Sequence, residues 1–265
     1  MARFLHLSDL HVVAEGTLAS GVLDTRSILT AAVDRLLAMR AAIDPLDAVL
    51  ITGDISDDGS EDSYAFAVAE LARLGLPVFV VPGNHDARGA FRAAFAAQPS
   101  MPPTGLIDWS ETFGETLVIG LDTLIEGQGG GTLRPDSLDF LRQLLAQKNT
   151  GPTVLMLHHP PLLTGIRFMD AIGLENATLL DSVLKEAQTE VTVLAGHVHG
   201  VYFRSVRGHR VMTAPSICSA FALDRRAGAR VGFRSGPTGC ALLDTGPDGH
   251  WTVLPLEPSS GTHPF

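Results

Sequence analysis

The sequence predicts an α/β protein arranged as a four-layer α-β-β-α sandwich, with two sheets packed together and helices outside. Five short apolar runs each end at polar residues, helix candidates alternate with these runs through residue 199, and short β runs separated by Gly- and Pro-containing turns follow. Continuous apolar runs of this kind suit strands that are buried on both faces. The chain has 265 residues with no internal repeat or sharp linker, so we expect one domain over residues 1–265.

Polar residues follow each of the five apolar runs directly. The runs are residues 3–8, 48–52, 78–82, 153–157 and 191–195. Open α/β sheets keep their ligands just outside the carboxyl ends of their strands. We therefore expect five strand ends to converge on one site.

The helix candidates carry spaced apolar positions, such as Leu138, Leu141 and Leu145 in one of them. They are residues 25–39, 61–74, 135–148 and 176–187, and the late β runs are residues 201–206, 210–214, 240–243 and 251–256. The glycine-rich stretch from residue 127 to 131 predicts a flexible loop. It lacks the lysine of a P-loop, so we do not expect it to cradle phosphate.

Seven of the polar residues at the strand ends are of types that bind metal ions: Asp9, His11, Asp54, Asn84, His158, His197 and His199. Mixed oxygen and imidazole donors suit Mn, Fe, Zn or Co better than Ca or Mg, without choosing among those four. Two ions roughly 3.5–4 Å apart need a shared anionic ligand, and a water held between them becomes a nucleophile. One histidine at a strand end is usually structural, but the complete set predicts two divalent ions in a hydrolase.

The order D-x-H, G-D, G-N-H-D, H and G-H-x-H resembles the signature of the calcineurin-like metallophosphoesterase superfamily, and it spans residues 9 to 199. The run from His158 to Pro161, with Met169-Asp170 and Glu175-Asn176, resembles the bacterial class III cyclic-nucleotide and glycerophosphodiester phosphodiesterases. The resemblance implies the metallophosphoesterase type of α-β-β-α sandwich.

The resemblance also implies a role for each ligand. Asp9, His11 and His199 resemble the ligands of the first ion, Asn84, His158 and His197 resemble those of the second, and Asp54 resembles the bridging carboxylate. Adjacent residues on an extended strand point in opposite directions, so only one of His158 and His159 should reach the metals. The resemblance selects His158.

Two residues are expected to act on the substrate. Asn84 would help to neutralise the phosphoryl oxygens, and His85 resembles the family histidine that contacts the phosphate or protonates the leaving oxygen. An imidazole of near-neutral pKa can do either, and a partner on its second nitrogen would fix its tautomer. The sequence leaves two partners open, Asp57 and Asp86.

The expected function is hydrolysis of small phosphodiesters, either cyclic nucleotides such as 3′,5′-cAMP or glycerophosphodiesters, by in-line attack of a hydroxide activated by two metal ions. A phosphomonoesterase or protein phosphatase would share the metal core, but that branch usually shows Asp-Arg-Gly and a Glu where this chain has Asp57-Asp58-Gly59 and Asp86. A non-catalytic scaffold would show loss of ligands, and all seven are present.

Charge and hydropathy limit the partners. The net charge is −10, and Asp224-Arg225-Arg226 is the nearest approach to a basic run, so neither a nuclease nor binding of extended nucleic acid is expected. No apolar stretch reaches the ~18 residues of a transmembrane helix, and the first residues run into the D-x-H motif rather than a leader. We therefore expect a cytoplasmic enzyme without a membrane partner.

The remaining expectations concern residues outside the motifs. Segments 164–175 and 216–236 are expected to form a cap or a subunit contact, which leaves a homo-oligomer open, while Phe168, Met169 and Phe221 are expected to be ordinary core residues. Cys218 and Cys240 could approach each other across neighbouring strands, and we expect them to be two reduced, buried thiols. The histidines expected to be structural or superficial are His6, His209, His250 and His263.

Overall fold

The computed structural model describes residues 1–147, 151–226 and 228–257. The strands are β1 (Arg3–Leu7), β2 (Ala48–Ile51), β3 (Val78–Val80), β4 (Trp109–Phe113), β5 (Thr116–Gly120), β6 (Thr153–Met156), β7 (Val191–Ala195), β8 (Phe203–Val206), β9 (His209–Thr213), β10 (Ala220–Phe221), β11 (Phe233–Arg234), β12 (Gly239–Asp244) and β13 (Trp251–Pro255). The helices are α1 (Thr25–Ile43), α2 (Glu61–Ala72), α3 (Arg88–Ala94), α4 (Pro135–Leu145), α5 (Arg167–Ala171) and α6 (Ala177–Leu184).

The main strands form two sheets. The first has the order β13-β12-β1-β2-β3, the second has the order β4-β5-β6-β7-β9-β8, and β10 and β11 form a separate two-stranded ribbon. The strands β1, β2 and β3 run parallel, as do β5, β6, β7 and β9. Parallel strands end at the same edge, so each sheet gathers its carboxyl ends on one side.

The alternation of side chains along β6 shows how the layers stack. Val154 and Met156 belong to the core that also contains Phe4 of β1, whereas Leu155 belongs to the core that contains Leu141 of α4. Successive residues of a strand point to opposite faces, so one face of β6 meets the first sheet and the other meets the helices. The predicted sandwich of two sheets flanked by helices is confirmed.

The predicted strands and helices are present, with shifted ends. Helix α1 continues to Ile43 because Ile43 is buried, and it stops before Pro45, whose ring disfavours helical geometry in the preceding residue. Helix α6 is shorter than predicted at both ends, and Lys148 of the predicted 135–148 helix lies outside the described residues. The elements β4, β5, α3, α5 and the ribbon were not among the predicted runs, since most of them are short or lack a clear period.

The two cysteines are buried and free, as expected, but only one lies on a strand. Cys240 belongs to β12 and lies opposite Leu254, whereas Cys218 lies in the loop after β9. The two cysteines therefore do not face each other across neighbouring strands. No helix within the described ranges is both long enough and apolar enough to cross a membrane.

The histidines outside the motifs take different places. His209 is buried, where its Nε2 donates to the carbonyl of Leu184 and its Nδ1 accepts from Val191 N. His6 is also buried, with Nε2 on the hydroxyl of Thr52 at 2.9 Å. His250 is exposed, and His263 lies outside the described residues.

Candidate metal centre

The turns after the strands hold five of the seven predicted ligands in left-handed backbone geometry. The φ angles are 54° at Asp9, 46° at His11, 50° at Asp54, 69° at His197 and 45° at His199. Positive φ is uncommon for residues with a Cβ; each such residue costs about 1–3 kcal/mol and persists only where its surroundings impose this geometry. Backbone strain of this kind gathers at functional sites.

Glycines let the chain pass close to these side chains. A Cβ on Gly83 would lie 2.2 Å from Asp54 Oδ1, and one on Gly196 would lie 1.9 Å from Ser8 Oγ and 2.8 Å from Asp9 Oδ2. Gly53 has a φ of 93°, and a Cβ there would meet His158 Nδ1 at 2.5 Å. The three motif glycines are therefore fixed by crowding at the site.

The carboxylate of Asp54 lies between two imidazoles from different sheets. Its Oδ2 is 3.5 Å from His11 Nε2 and 3.3 Å from His158 Nε2. Its Oδ1 accepts a hydrogen bond from the backbone N–H of His85 at 2.9 Å, which fixes the plane of the carboxylate. One oxygen of Asp54 thus faces both histidines.

The structure brings the other predicted ligands to the two sides of Asp54. On one side His11 Nε2 is 3.0 Å from His199 Nε2, which is 3.5 Å from Asp9 Oδ1. On the other side His158 Nε2 is 3.1 Å from Asn84 Oδ1, and the His197 ring lies 5.1 Å from the His158 ring between centroids. Asp9 and His197 are also joined directly, since His197 N donates to both Asp9 oxygens at 3.0 and 3.1 Å.

Each of the four histidines uses one ring nitrogen for a protein partner. The four contacts are His11 Nδ1 to Asp57 Oδ1 at 2.9 Å, His158 Nδ1 to Thr52 O at 2.7 Å, His197 Nε2 to Ile172 O at 3.0 Å and His199 Nδ1 to Ser219 Oγ at 3.0 Å. Such contacts orient an imidazole, and carbonyl or carboxylate partners also fix its tautomer. The other nitrogen of each ring is left for the centre of the cluster.

His159 lies beside the cluster but has no ring nitrogen to offer. Its Nδ1 is hydrogen-bonded to Thr123 Oγ1 at 2.8 Å and its Nε2 donates to Gly129 O at 3.1 Å. Burial and the neighbouring His158 lower the pKa of His159 to about 3, so the ring is neutral. The glycine-rich loop is thereby held by His159 rather than free.

The charges within the protein favour an ionised carboxylate at the centre. Burial alone would raise the pKa of Asp54, but the positive charges of His158 and His11 outweigh burial and hold this pKa well below its usual value. Burial likewise disfavours the charged form of His158, yet Asp54 raises the pKa of His158 to about 9. Burial raises the pKa of Asp9, and the positive charge of His158 is the largest effect that lowers it.

His85 lies at the edge of the cluster, and its side chain is 42% exposed. Its Nδ1 is 3.2 Å from Asp57 O and 3.3 Å from Asp57 Oδ1, so Asp57 is its partner. Asp86, the other partner left open, instead accepts from Gly83 N at 2.8 Å, Ser56 N at 3.1 Å and the hydroxyl of Tyr64 at 3.0 Å. Asp86 therefore holds the turn that presents Asn84.

The donor set fits divalent ions. Ligand atoms about 2.0–2.2 Å from one ion lie about 3.0–3.5 Å from each other. The distances from the histidine ring nitrogens to the other candidate ligands given above fall in this range. Imidazole, carboxylate and amide donors are the ligands that Zn, Mn, Fe and Co accept. The His and Asp clusters therefore fit the divalent metal centre that the sequence predicts.

Sequence reasoning missed Cys218 and Ser219. The sulfur of Cys218 lies within 4.8 Å of ring nitrogens of His11 and His199, and Ser219 orients His199. Both residues follow β9, so the rule that polar groups gather past strand ends applies to them as well. Their place beside the cluster was not predicted because they belong to no recognised motif.

A cavity of about 250 Å³ opens over the cluster. Its polar wall contains His11, Asp54, Asn84, His85, His197 and His199, and its apolar wall contains Leu23, Phe168, Met169, Ile172, Phe221 and Phe233. Phe168 is 42% exposed and lines this cavity, so its expected place in the core is wrong, while Met169 is buried and Phe221 is half-buried. Another cavity, of about 340 Å³, lies at the amino ends of β6 and β7 and includes none of the predicted ligands.

The chain resembles known proteins along most of its length. It is 32% identical over 218 residues to the 3′,5′-cyclic adenosine monophosphate phosphodiesterase CpdA of Pseudomonas aeruginosa, covering 82% of this chain and 77% of that one. It is 28% identical over 239 residues to a probable glycerophosphodiester phosphodiesterase GpdQ of Arcobacter nitrofigilis, covering 90% and 86%.

The fold is also that of a solved structure. A dimetal phosphatase from Danio rerio superposes with a TM-score of 0.68 at 14% identity, covering 97% of this chain and 99% of that one, which speaks to the fold alone. The profile of the calcineurin-like phosphoesterase family matches residues 2–201. The chain is therefore a hydrolase that belongs to the calcineurin-like phosphoesterase family.

Proposed function

We propose that this protein hydrolyses small phosphodiesters at two divalent metal ions, with Asp54 as the ligand shared between them. The position of Asp54 Oδ2, 3.5 Å from His11 Nε2 and 3.3 Å from His158 Nε2, carries the proposal. Two cations at close range need a shared anion, and this oxygen is an ionised carboxylate oxygen that faces both histidine groups.

In this proposal each of the other six ligands binds one of the two ions. The first ion is held by Asp9, His11 and His199, and the second by Asn84, His158 and His197. When bound, the ions lower the pKa of a shared water and neutralise charge on the phosphoryl oxygens. Preorganised charge of this kind is usually the largest contribution to catalysis.

Asn84 and His85 are proposed to act on the substrate. Asn84 presents its amide at the rim of the cavity, next to His158. His85 lines the same cavity and has its Nδ1 on Asp57, so its Nε2 is the nitrogen that can reach a leaving oxygen. A positioned proton donor contributes about 10²–10⁴-fold to such a reaction.

The charge of the cavity favours diesters over monoesters. None of the described residues that line it is a lysine or an arginine. A monoester carries one more negative charge than a diester and gains more from cationic clamps, so the two metal ions with Asn84 and His85 suit a diester. Both relatives named above carry phosphodiesterase names.

Segments 164–175 and 216–236 are proposed to act as a cap over this site. The first supplies Phe168, Met169 and Ile172 to the cavity, and the second supplies Phe221 and Phe233. These side chains line the cavity together with the metal-binding residues. The same exposed segments are the place where a subunit contact is proposed.

Metal analysis and a matched substrate pair test the proposal. Protein reconstituted with Mn, Fe, Zn or Co should bind two ions per chain and should cleave bis(p-nitrophenyl) phosphate with a higher kcat/KM than p-nitrophenyl phosphate. Asp54→Asn should lower the metal content, whereas Asp62→Asn, which removes an exposed carboxylate paired with Arg26, should not. One ion per fully active chain would contradict the shared-ligand site, and a preference for the monoester would contradict the phosphodiesterase.

A further inference from the structure

The apolar wall of the cavity differs from what a glycerol group would need. Phe168, Phe221 and Phe233 line it together with Met169 and Ile172, and the histidine cluster lines the same cavity of about 250 Å³. Glycerol carries hydroxyl groups that lose hydrogen bonds with water when they meet such a wall. A flat apolar face in the substrate would instead be complementary to it.

The three phenylalanines are placed by different elements. Phe221 and Phe233 are directly opposite each other in the antiparallel ribbon of β10 and β11, so both side chains project from the same face. Phe168 lies on α5, at the start of the other cap segment. Both segments line the cavity together with the metal-binding residues.

One of the three phenylalanine rings packs against other side chains, and the other two are exposed. Phe221 packs on the His199 ring with centroids 4.6 Å apart and contacts the small cluster of Ile166, Met169 and Val198. Phe168 and Phe233 remain 42% and 37% exposed. Large aromatic side chains left exposed beside a polar site are typical of surfaces that stack on a ligand.

We propose that Phe168, Phe221 and Phe233 form a nucleobase-binding wall, and that the substrates are cyclic nucleotides rather than glycerophosphodiesters. This inference rests on the proposed phosphodiesterase function and specifies its substrate class. The cyclic phosphate lies over the metal-binding residues while the base stacks on the exposed rings of Phe168 and Phe233. Stacking on an aromatic side chain tolerates different bases, because every base has a π face.

The test compares a cyclic nucleotide with the same cyclic phosphate lacking the base. Metal-loaded protein is assayed on 3′,5′-cyclic AMP, on methyl riboside 3′,5′-cyclic phosphate and on glycerophosphoethanolamine. Phe168→Ala and Phe233→Ala should each raise the ratio of the KM for cyclic AMP to the KM for the base-free diester by about 5- to 150-fold. Phe203→Ala, at a phenylalanine that is 65% exposed on β8 and outside the cavity, should leave this ratio unchanged.

A binding measurement separates this inference from the proposed function. Calorimetry with a slowly hydrolysed phosphorothioate analogue of cyclic AMP should show the same loss of affinity in the two variants, with the Phe203→Ala protein matching the wild type. Equal changes for substrates with and without a base, or better hydrolysis of glycerophosphoethanolamine than of cyclic AMP, would overturn the base-binding wall and leave the phosphodiesterase intact. Absence of any diester hydrolysis, with base-dependent binding retained, would overturn the proposed function alone.

Discussion

Asp57 is the residue whose replacement tests the site most directly, because its carboxylate contacts two histidines with different proposed roles. Its Oδ1 is 2.9 Å from His11 Nδ1 and 3.3 Å from His85 Nδ1. Asp57→Asn keeps the size of the side chain and one oxygen but removes the negative charge. We therefore expect the contact with His11 to persist as a weaker, neutral hydrogen bond. His85 loses the attraction of the carboxylate but keeps its hydrogen bond to the backbone carbonyl of Asp57.

The size of the effect follows from the loss of charge assistance. Hydrogen bonds to charged groups contribute about 1.5–3 kcal/mol and neutral ones about 0.5–1.5 kcal/mol, so the hydrogen bond between Asp57 and His11 weakens by about 1–1.5 kcal/mol. The Asp57 side chain is 26% exposed, and solvent screening favours the lower end of that interval. This gives about a 5-fold loss at His11, close to the lower limit of the 10- to 100-fold loss that is typical when the partner of a metal-binding histidine is removed.

The two losses have separate measurements. The contact with His11 should appear as about a 5-fold weaker affinity for metal, measured by titrating metal-free protein against a chelating indicator. The contact with His85 should appear at saturating metal as a lower kcat for an alkyl diester, with a smaller change for a nitrophenyl diester. Asp62→Asn is the control for charge alone. Wild-type metal affinity together with an unchanged leaving-group dependence in Asp57→Asn would refute the reasoning.

Three further changes have distinct expected outcomes. His85→Ala should reduce kcat by about 10²–10⁴-fold for a diester with an alkoxide leaving group and much less for nitrophenolate; equal losses in parallel assays would make His85 a phosphate-binding residue instead. Asn84→Ala should lower activity by weakening one metal site, and excess Mn should restore part of the rate; full metal content with lost activity would show that Asn84 acts on the phosphate. His6→Gln should reduce the pH dependence of stability, measured by urea unfolding at pH 7.5 and pH 5. Burial lowers the pKa of His6 to about 3, whereas the pKa of histidine in the unfolded chain is about 6.5. Protonation of His6 therefore favours the unfolded chain. It has no effect on the free energy of unfolding well above pH 6.5 and lowers that free energy by about 2 kcal/mol at pH 5. An unchanged slope in the variant would mean that other groups carry the effect.

The main strands and the candidate ligands could be predicted from the sequence because both depend on local order. A buried parallel strand is a short apolar run, and its carboxyl end is marked by the polar residues that follow, as at His158 and His197. The choice of His158 over His159 came from resemblance, and the structure supplies a physical reason. Both nitrogens of His159 are already bonded to Thr123 and Gly129.

Contacts between distant segments were decided only by the tertiary structure. The sequence could not choose between Asp57 and Asp86 as the partner of His85, because both lie near it in the motifs and only the path of the backbone separates their roles. The same holds for Cys218 and Ser219, which reach the cluster from a loop after β9.

The phenylalanines of the apolar wall are likewise placed by tertiary packing and not by a local sequence pattern. Phe168 and Phe233 carry no periodicity, since they lie on a helix of five residues and a strand of two. The sequence by itself determined the sandwich and the seven metal-binding residue types, because strand periodicity and residue chemistry are local properties. Only the tertiary structure decided which aromatic rings face those residues, because that depends on how two separate segments pack over the ends of both sheets.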